Sequence, residues 1–263
     1  MARSKKDKNR TDDNGSGIYV YGIVPGDVQV EKDAEGIGDP PAKVELIREG
    51  EIAALVSAVP IDTPLGKPAD LQAHARLLDG TASVAPVLPI RFGAVMTDAE
   101  AVSSELLREH HDEFVSALGE LEGHAEYIVK GRYDEKAILS EVISESDQAR
   151  ELREAIRDKS EDASRDARMA LGELATKAIE TKRDADTKIV VDEIGDLALH
   201  VNIRPPTHEL DAVHVALLAE VDRQGDLEAT VKKLAENWRG RVEFRLLGPL
   251  AAYDFVVASS GSG

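Results

Sequence analysis

The side chains best suited to chemistry in this chain are its seven histidines, which bind metals and exchange protons near neutral pH. His110 and His111 are neighbours, so a helix would turn them to different faces, and no acidic partner completes a known metal motif around them. The sequence by itself therefore predicts no metal site. One alternative stays open, in which folding gathers His200, His208 and His214 beside a carboxylate to form a small-molecule or metal-dependent enzyme.

Other motifs that carry chemistry are incomplete. Asp184 and Asp186 resemble the start of a calcium loop, but the turn glycine and the closing bidentate glutamate are missing. The Gly66-Lys67 pair lacks the upstream glycine and the following hydroxyl of a phosphate-binding loop, and no G-x-S-x-G sequence presents a serine nucleophile. The sequence therefore predicts no catalytic residue and no cofactor, and we expect a protein that is not an enzyme.

Arg91 is the charged residue whose surroundings are most constrained. It lies in VLPIRFGAV, residues 87–95, between strand-forming side chains and Gly93, which permits a backbone that other residues resist. Pro86 and Pro89 limit pairing to a sheet edge or a strand start. We expect this arginine to be held at the fixed end of a strand.

The elements that position Arg91 belong to a predicted α+β domain over residues 17–133. Capping by Thr97 and Glu100 is predicted to open its second helix. The predicted elements are a strand over 18–24, a hairpin of 43–49 and 51–59 around Gly50, a helix over 71–85, a strand over 87–93, a helix to about 119 and a strand over 125–133. This order predicts a mostly antiparallel, ferredoxin-like sheet covered by helices.

The rest of the chain is predicted to contain a charged helical segment and a second domain. Residues 134–187 are densely charged and contain no proline, which favours a helical hairpin or broken pair that packs weakly. Residues 188–258 are predicted to form a smaller C-terminal α/β domain, which completes a two-domain α+β fold. We expect a disordered tail at 1–16 and a flexible end at 259–263.

Composition excludes several classes of function. The chain has 263 residues, a formal net charge of −18 and no cysteine, which disfavours nucleic-acid binding and excludes disulfides and thiolate metal sites. No apolar run approaches the roughly 18 residues that span a bilayer, so we expect no membrane insertion. The basic start lacks the apolar segment of a signal peptide, and a cytoplasmic location is expected.

Four separated phrases together resemble the F/L-type accessory proteins of gas vesicles. They are IYVYGIV at 18–24, IAALVSAV at 52–59, VLPIRFGAV at 87–95 and LLGPLAAYDFV at 246–256. The resemblance implies a modified ferredoxin-like first domain and a second α/β unit bearing helices. It also implies a non-enzymatic, vesicle-associated assembly factor or minor vesicle component that binds the hydrophobic shell protein and other accessory proteins.

One phrase departs from the family pattern. Family members commonly end in Gly-Pro-Trp-Pro-Pro-Tyr, whereas this chain keeps Gly248, Pro249 and Tyr253 but has Leu-Ala-Ala between them. The lost tryptophan and prolines remove an aromatic contact and rigidity, so the resemblance transfers a binding role to this end least well.

Aromatic and arginine side chains in these phrases are the candidates for partner contact, because such residues are favoured at interfaces. The candidates are Tyr19, Tyr21, Arg91, Phe92 and Tyr253. In the competing interpretation Tyr19 and Tyr21 pack beneath a helix, Phe92 lies in the core and Arg91 pairs with a carboxylate. A further alternative is a general interaction scaffold that uses the helical arm.

Overall fold

The protein divides into two compact units, with the division between Glu122 and Gly123, in a computed structural model that describes residues 15–62 and 64–256. Most of the predicted tail at 1–16 and all of the predicted end at 259–263 lie outside the described residues. Ser16 already belongs to the first strand.

The first unit is an antiparallel sheet with helices. Its strands are β1 (Ser16–Pro25), β2 (Glu45–Glu49), β3 (Ile52–Pro60), β4 (Leu88–Pro89) and β5 (Val95–Met96). Its helices are α1 (Pro68–Ala82), α2 (Ala99–Ala101), a π-helical stretch (Val102–Arg108) and α3 (His111–Glu120). The strand order is β2-β3-β1-β4, and β5 also pairs with β1, so β1 is the central strand.

The hairpin of the first unit is confirmed. β2 pairs antiparallel with β3, and the chain turns at Gly50, whose φ of +59° lies in the region that favours glycine. The predicted strand over 87–93 is shorter than expected. Within residues 87–93 only Leu88 and Pro89 pair with β1 as a strand, at Ile23 and Gly22, and Pro89 has no N–H to donate to the ladder.

The predicted cap of the second helix is wrong by one residue. Asp98, not Thr97, is the N-cap, and its carboxylate accepts a hydrogen bond of 2.8 Å from the N–H of Ala101. A short aspartate reaches the N3 amide of a helix readily, and it is a preferred cap. The helix itself is interrupted, since the π-helical stretch separates α2 from α3.

The second unit is also an antiparallel sheet with helices. Its strands are β6 (His124–Tyr133), β7 (His200–Ile203), β8 (Asp211–Glu220) and β9 (Val242–Leu250). Its α-helices are α4 (Glu135–Glu145), α5 (Asp147–Ile156), α6 (Arg165–Ile194) and α7 (Gln224–Asn237). The strand order is β7-β8-β6-β9, which is the order of a ferredoxin-like fold.

The predicted domain boundary at residue 133 is wrong. β6 pairs along most of its length with β8 on one side and β9 on the other, so it is a central strand of the second sheet. The predicted boundary at 187 also fails, because α6 continues through Lys188 to Ile194. The α+β class is confirmed, but the charged segment and the C-terminal strands belong to one unit.

The two ends of the charged helical segment pack on the sheet, contrary to the prediction, whereas between residues 150 and 178 only Ser164 is buried and the packing is as weak as predicted. Ile138, Val142, Ile179, Val190 and Ile194 are buried in one cluster with side chains of β6 and β8. Pairs four residues apart, such as 138 with 142 and 190 with 194, place these side chains on one helix face. The charges occupy the remaining faces, so the high charge density conceals an amphipathic pattern.

A buried polar network fixes these helices to the strands. The Tyr133 hydroxyl donates to Asp186 at 2.6 Å, and the Arg241 guanidinium contacts Asp186 at 2.7 Å and Glu141 at 2.8 Å. Burial, followed by the bond to Asp186, raises the pKa of Tyr133. Asp186 is therefore a helix-anchoring carboxylate and not part of a calcium loop.

The two units differ in how they connect their first two strands. In the second unit α4, α5 and α6 lie between β6 and β7, whereas in the first unit residues 26–44 connect β1 to β2 without a helix. A bridge between Glu35 and Lys43 orders the end of this connection. The first unit thus has the ferredoxin-like strand order with a loop where a helix would be, which we call the crossover loop.

We expect Ile138→Ala to lower the free energy of unfolding by about 2–5 kcal/mol, because it removes a fully buried side chain of the second core. Urea denaturation of the full chain measures the change. The matched control is Met169→Ala, which truncates a side chain that is 60% exposed on α6 and should shift stability by less than about 0.5 kcal/mol. Equal effects would mean that the helical segment does not pack as described.

Candidate partner-binding site

Tyr19 and Tyr21 are fully buried, so they are core residues and not surface contacts. Their ring centroids lie 4.8 Å apart on one face of β1. His74 of α1 lies 5.8 Å from the Tyr19 ring and 5.7 Å from the Tyr21 ring, and Phe92 lies 5.8 Å from Tyr19. This is the packing beneath a helix that the competing interpretation predicts for the two tyrosines.

Burial of the Tyr19 hydroxyl requires hydrogen-bond partners, and the structure supplies two. The N–H of Gly93 donates to this oxygen at 3.2 Å, and the hydroxyl lies 2.9 Å from Nδ1 of His74. Burial lowers the pKa of His74, while a hydrogen bond to the backbone of Ile90 opposes that shift. A neutral imidazole donates to the Ile90 carbonyl and accepts from the Tyr19 hydroxyl. The polar groups of Tyr19 and His74 are therefore all paired in this series of hydrogen bonds. Burial also raises the pKa of Tyr19 to about 12, so the phenol stays protonated.

These bonds hold the segment that carries Arg91 at both ends. The N–H of Ile90 donates to the Tyr21 carbonyl at 2.9 Å, and the Val20 N–H donates to the Ala94 carbonyl at 2.9 Å. Between them Gly93 adopts a φ of +98°, which a residue with a side chain resists. Residues 90–94 therefore form a restrained loop beside β1, which we call the Arg91 loop.

Arg91 is exposed in the Arg91 loop, and Phe92 beside it is half-buried. Within the described residues the Arg91 side chain makes no hydrogen bond and no ion pair. The predicted pairing of Arg91 with a carboxylate of the charged helices is therefore not observed. A guanidinium on a rigid backbone, with its donors unused, is suited to bind an external acceptor.

Tyr21 orders the crossover loop on the same face of the sheet. Its hydroxyl donates to Oγ of Ser57 at 3.0 Å and accepts from the N–H of Ile37 at 2.9 Å. Ser57 in turn donates to the Lys43 carbonyl at 2.8 Å. A side chain at Gly36 would collide with the Tyr21 hydroxyl, so a glycine is required there.

Tyr253 belongs to the second unit, so the five sequence candidates do not form one site within a single unit. Its side chain is 42% exposed. The next residue, Asp254, anchors this segment, since Arg204 contacts its carboxylate at 2.6 Å. The Asp254 N–H donates to the buried Glu126 at 2.9 Å, and Glu126 also pairs with Arg204 at 3.0 Å. Arg204 is the main cause that lowers the pKa of Asp254.

The histidines of the alternative enzyme hypothesis have separate structural environments. His200 stacks against Phe255 with 6.4 Å between ring centroids, Nδ1 of His208 accepts from the Leu210 N–H, and Nδ1 of His214 lies 3.0 Å from the Pro205 carbonyl. Across residues 15–62 and 64–256, no group of three or more histidines and carboxylates is placed to hold a metal. The convergence on which that hypothesis depends is therefore not observed.

Sequence reasoning missed two residues of this site, His74 and Ser57. A signal existed for His74, because it stands four residues from both Asp70 and Leu78, all three on the buried face of α1. No such signal existed for Ser57, a single hydroxyl in an otherwise apolar strand whose residues 52–57 are all buried. Among the described residues no helix has the length and apolarity needed to cross a membrane.

Comparison with known proteins gives consistent matches over nearly the whole chain. A family model described as gas vesicle synthesis protein GvpL/GvpF matches residues 17–257. Gas vesicle protein F of Streptomyces sp. (strain CB03234) is 32% identical over 240 residues, which cover 90% of this chain and 98% of that protein. The crystal structure of GvpF from Anabaena sp. PCC7120 is 23% identical with a TM-score of 0.74, and it aligns over 91% of this chain and 98% of its own. GvpF from Microcystis aeruginosa is 20% identical with a TM-score of 0.71 and the same coverage. These solved structures share the α+β fold.

We expect Tyr19→Phe to loosen the Arg91 loop, because it leaves the Gly93 N–H and Nδ1 of His74 without their shared partner. The free energy of unfolding should fall by about 1–3 kcal/mol, the usual cost of unpaired buried groups. Hydrogen exchange at the Gly93 amide should accelerate in the same variant. Tyr253→Phe changes a partly exposed tyrosine and serves as the control, with unchanged exchange at Gly93. Unaltered exchange in Tyr19→Phe would contradict the proposed restraint.

We expect Asp254→Asn to release the C-terminal segment, since it removes the charge that pairs with Arg204. Loss of charge-assisted bonds should cost about 1–3 kcal/mol and accelerate exchange at the Asp254-position amide. Folding lowers the pKa of Asp254 below its ordinary value of 3.8. The ion pair therefore contributes fully to the free energy of unfolding above pH 3.8, and this contribution is lost as the pH falls from 3.8 through the lowered pKa. Asp192→Asn, at an exposed position of α6, is the matched control and should change neither quantity.

Proposed function

The chain belongs to the GvpL/GvpF family of gas vesicle accessory proteins, and from that premise we propose that it assists vesicle formation by binding the hydrophobic shell protein and other accessory proteins. In this proposal it works in the cytoplasm and at the vesicle, and it catalyses no reaction. The Arg91 loop is the single feature that most supports a binding role.

The support from the Arg91 loop is its combination of rigidity and unused capacity. The buried Tyr19 hydroxyl and the backbone of Val20 and Tyr21 fix the loop on both sides of Arg91, so little conformational entropy is lost when a partner binds there. Arg91 supplies unsatisfied donors, and Phe92 supplies apolar surface next to them. In this proposal the two tyrosines contribute to binding only indirectly, by holding the loop.

The net charge of −18 supports the proposal that the protein binds the hydrophobic shell protein. A shell subunit exposes apolar surface before it assembles, and such surface promotes aggregation. A soluble partner that covers this surface and carries a large charge of one sign keeps the complex dispersed by repulsion between complexes. An acidic accessory protein is suited to this task.

Tyr253 is the proposed contact of the second unit. The bonds of Asp254 to Arg204 and Glu126 hold its backbone even though this chain lacks the tryptophan and later prolines of the common family phrase. Its partly exposed ring offers an apolar body and a polar hydroxyl, a combination enriched at interfaces.

The test is co-expression of the tagged full chain with the shell protein and accessory proteins encoded beside it, followed by pull-down and measurement of affinity. We expect Arg91→Ala to weaken binding of at least one of them by about tenfold, or about 1.4 kcal/mol, as for an interface arginine. Arg239→Ala removes another exposed arginine and should leave affinity unchanged.

Two results would contradict the proposal. Failure to bind any shell or accessory protein, together with normal vesicles after deletion of the gene, would exclude the binding function. Binding that is equally strong in Arg91→Ala and Arg239→Ala would remove the Arg91 loop from the interface.

A further inference from the structure

The crossover loop leaves the first sheet covered differently from the second. In the second unit α6 packs against β8 and α7 packs against β9. In the first unit α1 packs against β1, and the crossover loop lies beside it on the face of Tyr21. Only part of that loop enters the core, at Ile37 and at Val44.

A groove therefore remains between the crossover loop and α1. Leu55 of β3 lies at its floor, and Val28, Val30 and Leu77 are among the apolar side chains that line its walls. This part of the groove encloses about 320 Å³. Residues of the loop, the strand and the helix all contribute, so the groove is a product of the missing crossover helix.

The groove continues into a second hollow in the same unit. Val28 and Val84 line both parts, and the second part has a volume of about 620 Å³. Ile52 of β3 and Val115 and Leu118 of α3 add apolar surface there. We call the two parts together the crossover groove.

Val84 marks the centre of the crossover groove, because it belongs to both parts. Its side chain is 84% exposed, although an apolar side chain at a junction of two hollows would gain free energy from burial. Burial of a valine side chain is worth about 1.5–3 kcal/mol, so this residue favours an occupant that covers it.

The charges that line the crossover groove are mostly negative. Asp27, Glu31, Glu35 and Glu51 line it and form no ion pair within the described part of the chain, and Arg76 is the one basic residue among its described lining. Four uncompensated carboxylates attract a positively charged partner and disfavour an acidic one, which sets the sign of the charges on the occupant.

We propose that the crossover groove is the docking site for an amphipathic helix of a partner protein, with lysine or arginine flanking its apolar face. A helix satisfies its own backbone hydrogen bonds, whereas an extended peptide in this mainly apolar groove would leave them unpaired. Apolar side chains three and four residues apart fill the two hollows, and the basic side chains meet the carboxylates. The inference does not require the Arg91 loop to bind anything.

The test uses synthetic peptides and the full chain at physiological salt. The probe is a helical peptide with leucine at i, i+3, i+4 and i+7 and lysine elsewhere. One control has the same composition with the leucines scattered, and a second has glutamate in place of lysine. We expect the probe to bind with an affinity about tenfold higher than either control, because only it combines both features of the groove.

Variants of the chain localise the binding. Val84→Gln and Val115→Gln should each lower the affinity for the probe peptide by about tenfold. Ile61→Gln, at a side chain that is 65% exposed on the same unit, should leave that affinity unchanged. The chain contains no cysteine, so a fluorophore on Val84→Cys reports occupation directly, with Ile61→Cys as its control. Unfolding midpoints confirm that each variant is folded.

Three results would overturn the inference. They are equal affinity for the scattered peptide, equal affinity for the glutamate peptide, and binding of the probe that neither Val84→Gln nor Val115→Gln weakens. The affinity of Arg91→Ala for the shell protein has no bearing on these peptide measurements. Either proposal can therefore fail without the other.

Discussion

The burial of two tyrosine hydroxyls on β1 is the constraint on which the first unit depends. A phenol is large enough to build a core, but its oxygen must find a partner there. The Tyr19 hydroxyl is hydrogen-bonded to Gly93 and His74, which fixes the Arg91 loop. The Tyr21 hydroxyl is hydrogen-bonded to Ser57 and Ile37, which fixes the crossover loop. The backbone that carries the exposed Arg91 and the loop that forms one wall of the crossover groove are therefore both held by one strand.

The second unit covers the same strand order by other means. Its helices carry so many charges that packing against a sheet would be costly unless those near the core were paired. Arg241 forms ion pairs with Asp186 and Glu141, and Asp186 also accepts a hydrogen bond from Tyr133. Paired polar groups therefore join the helices to the sheet around an aliphatic core. The same strand order is thus completed by a loop in the first unit and by α4, α5 and α6 in the second.

Local patterns predicted the elements well and their assembly less well. Two apolar strand-forming runs on either side of the glycine at 50 specify a hairpin by local chemistry, and it formed. The strand over 125–133 was also found, but its pattern cannot indicate which sheet it joins, because β8 and β9 are far along the chain. Likewise the shared face of Tyr19 and Tyr21 followed from strand periodicity, whereas His74 could be joined to them only by the fold. Assembly depends on long-range pairing that no local window contains.

The changed C-terminal phrase shows how a fold can keep a position while losing the residues that usually mark it. Leu-Ala-Ala cannot stiffen the backbone as two prolines do, nor can it provide the tryptophan ring. Here Ala251 and Ala252 are buried, and the segment beyond them is held by the carboxylate of Asp254 between Arg204 and Asn202. Small side chains allow the chain to lie close to the sheet, and the ion pair then fixes it. The placement of Tyr253 therefore depends on an ion pair that the Gly-Pro-Trp-Pro-Pro-Tyr pattern does not contain, so that pattern alone is a poor guide to whether this surface is retained.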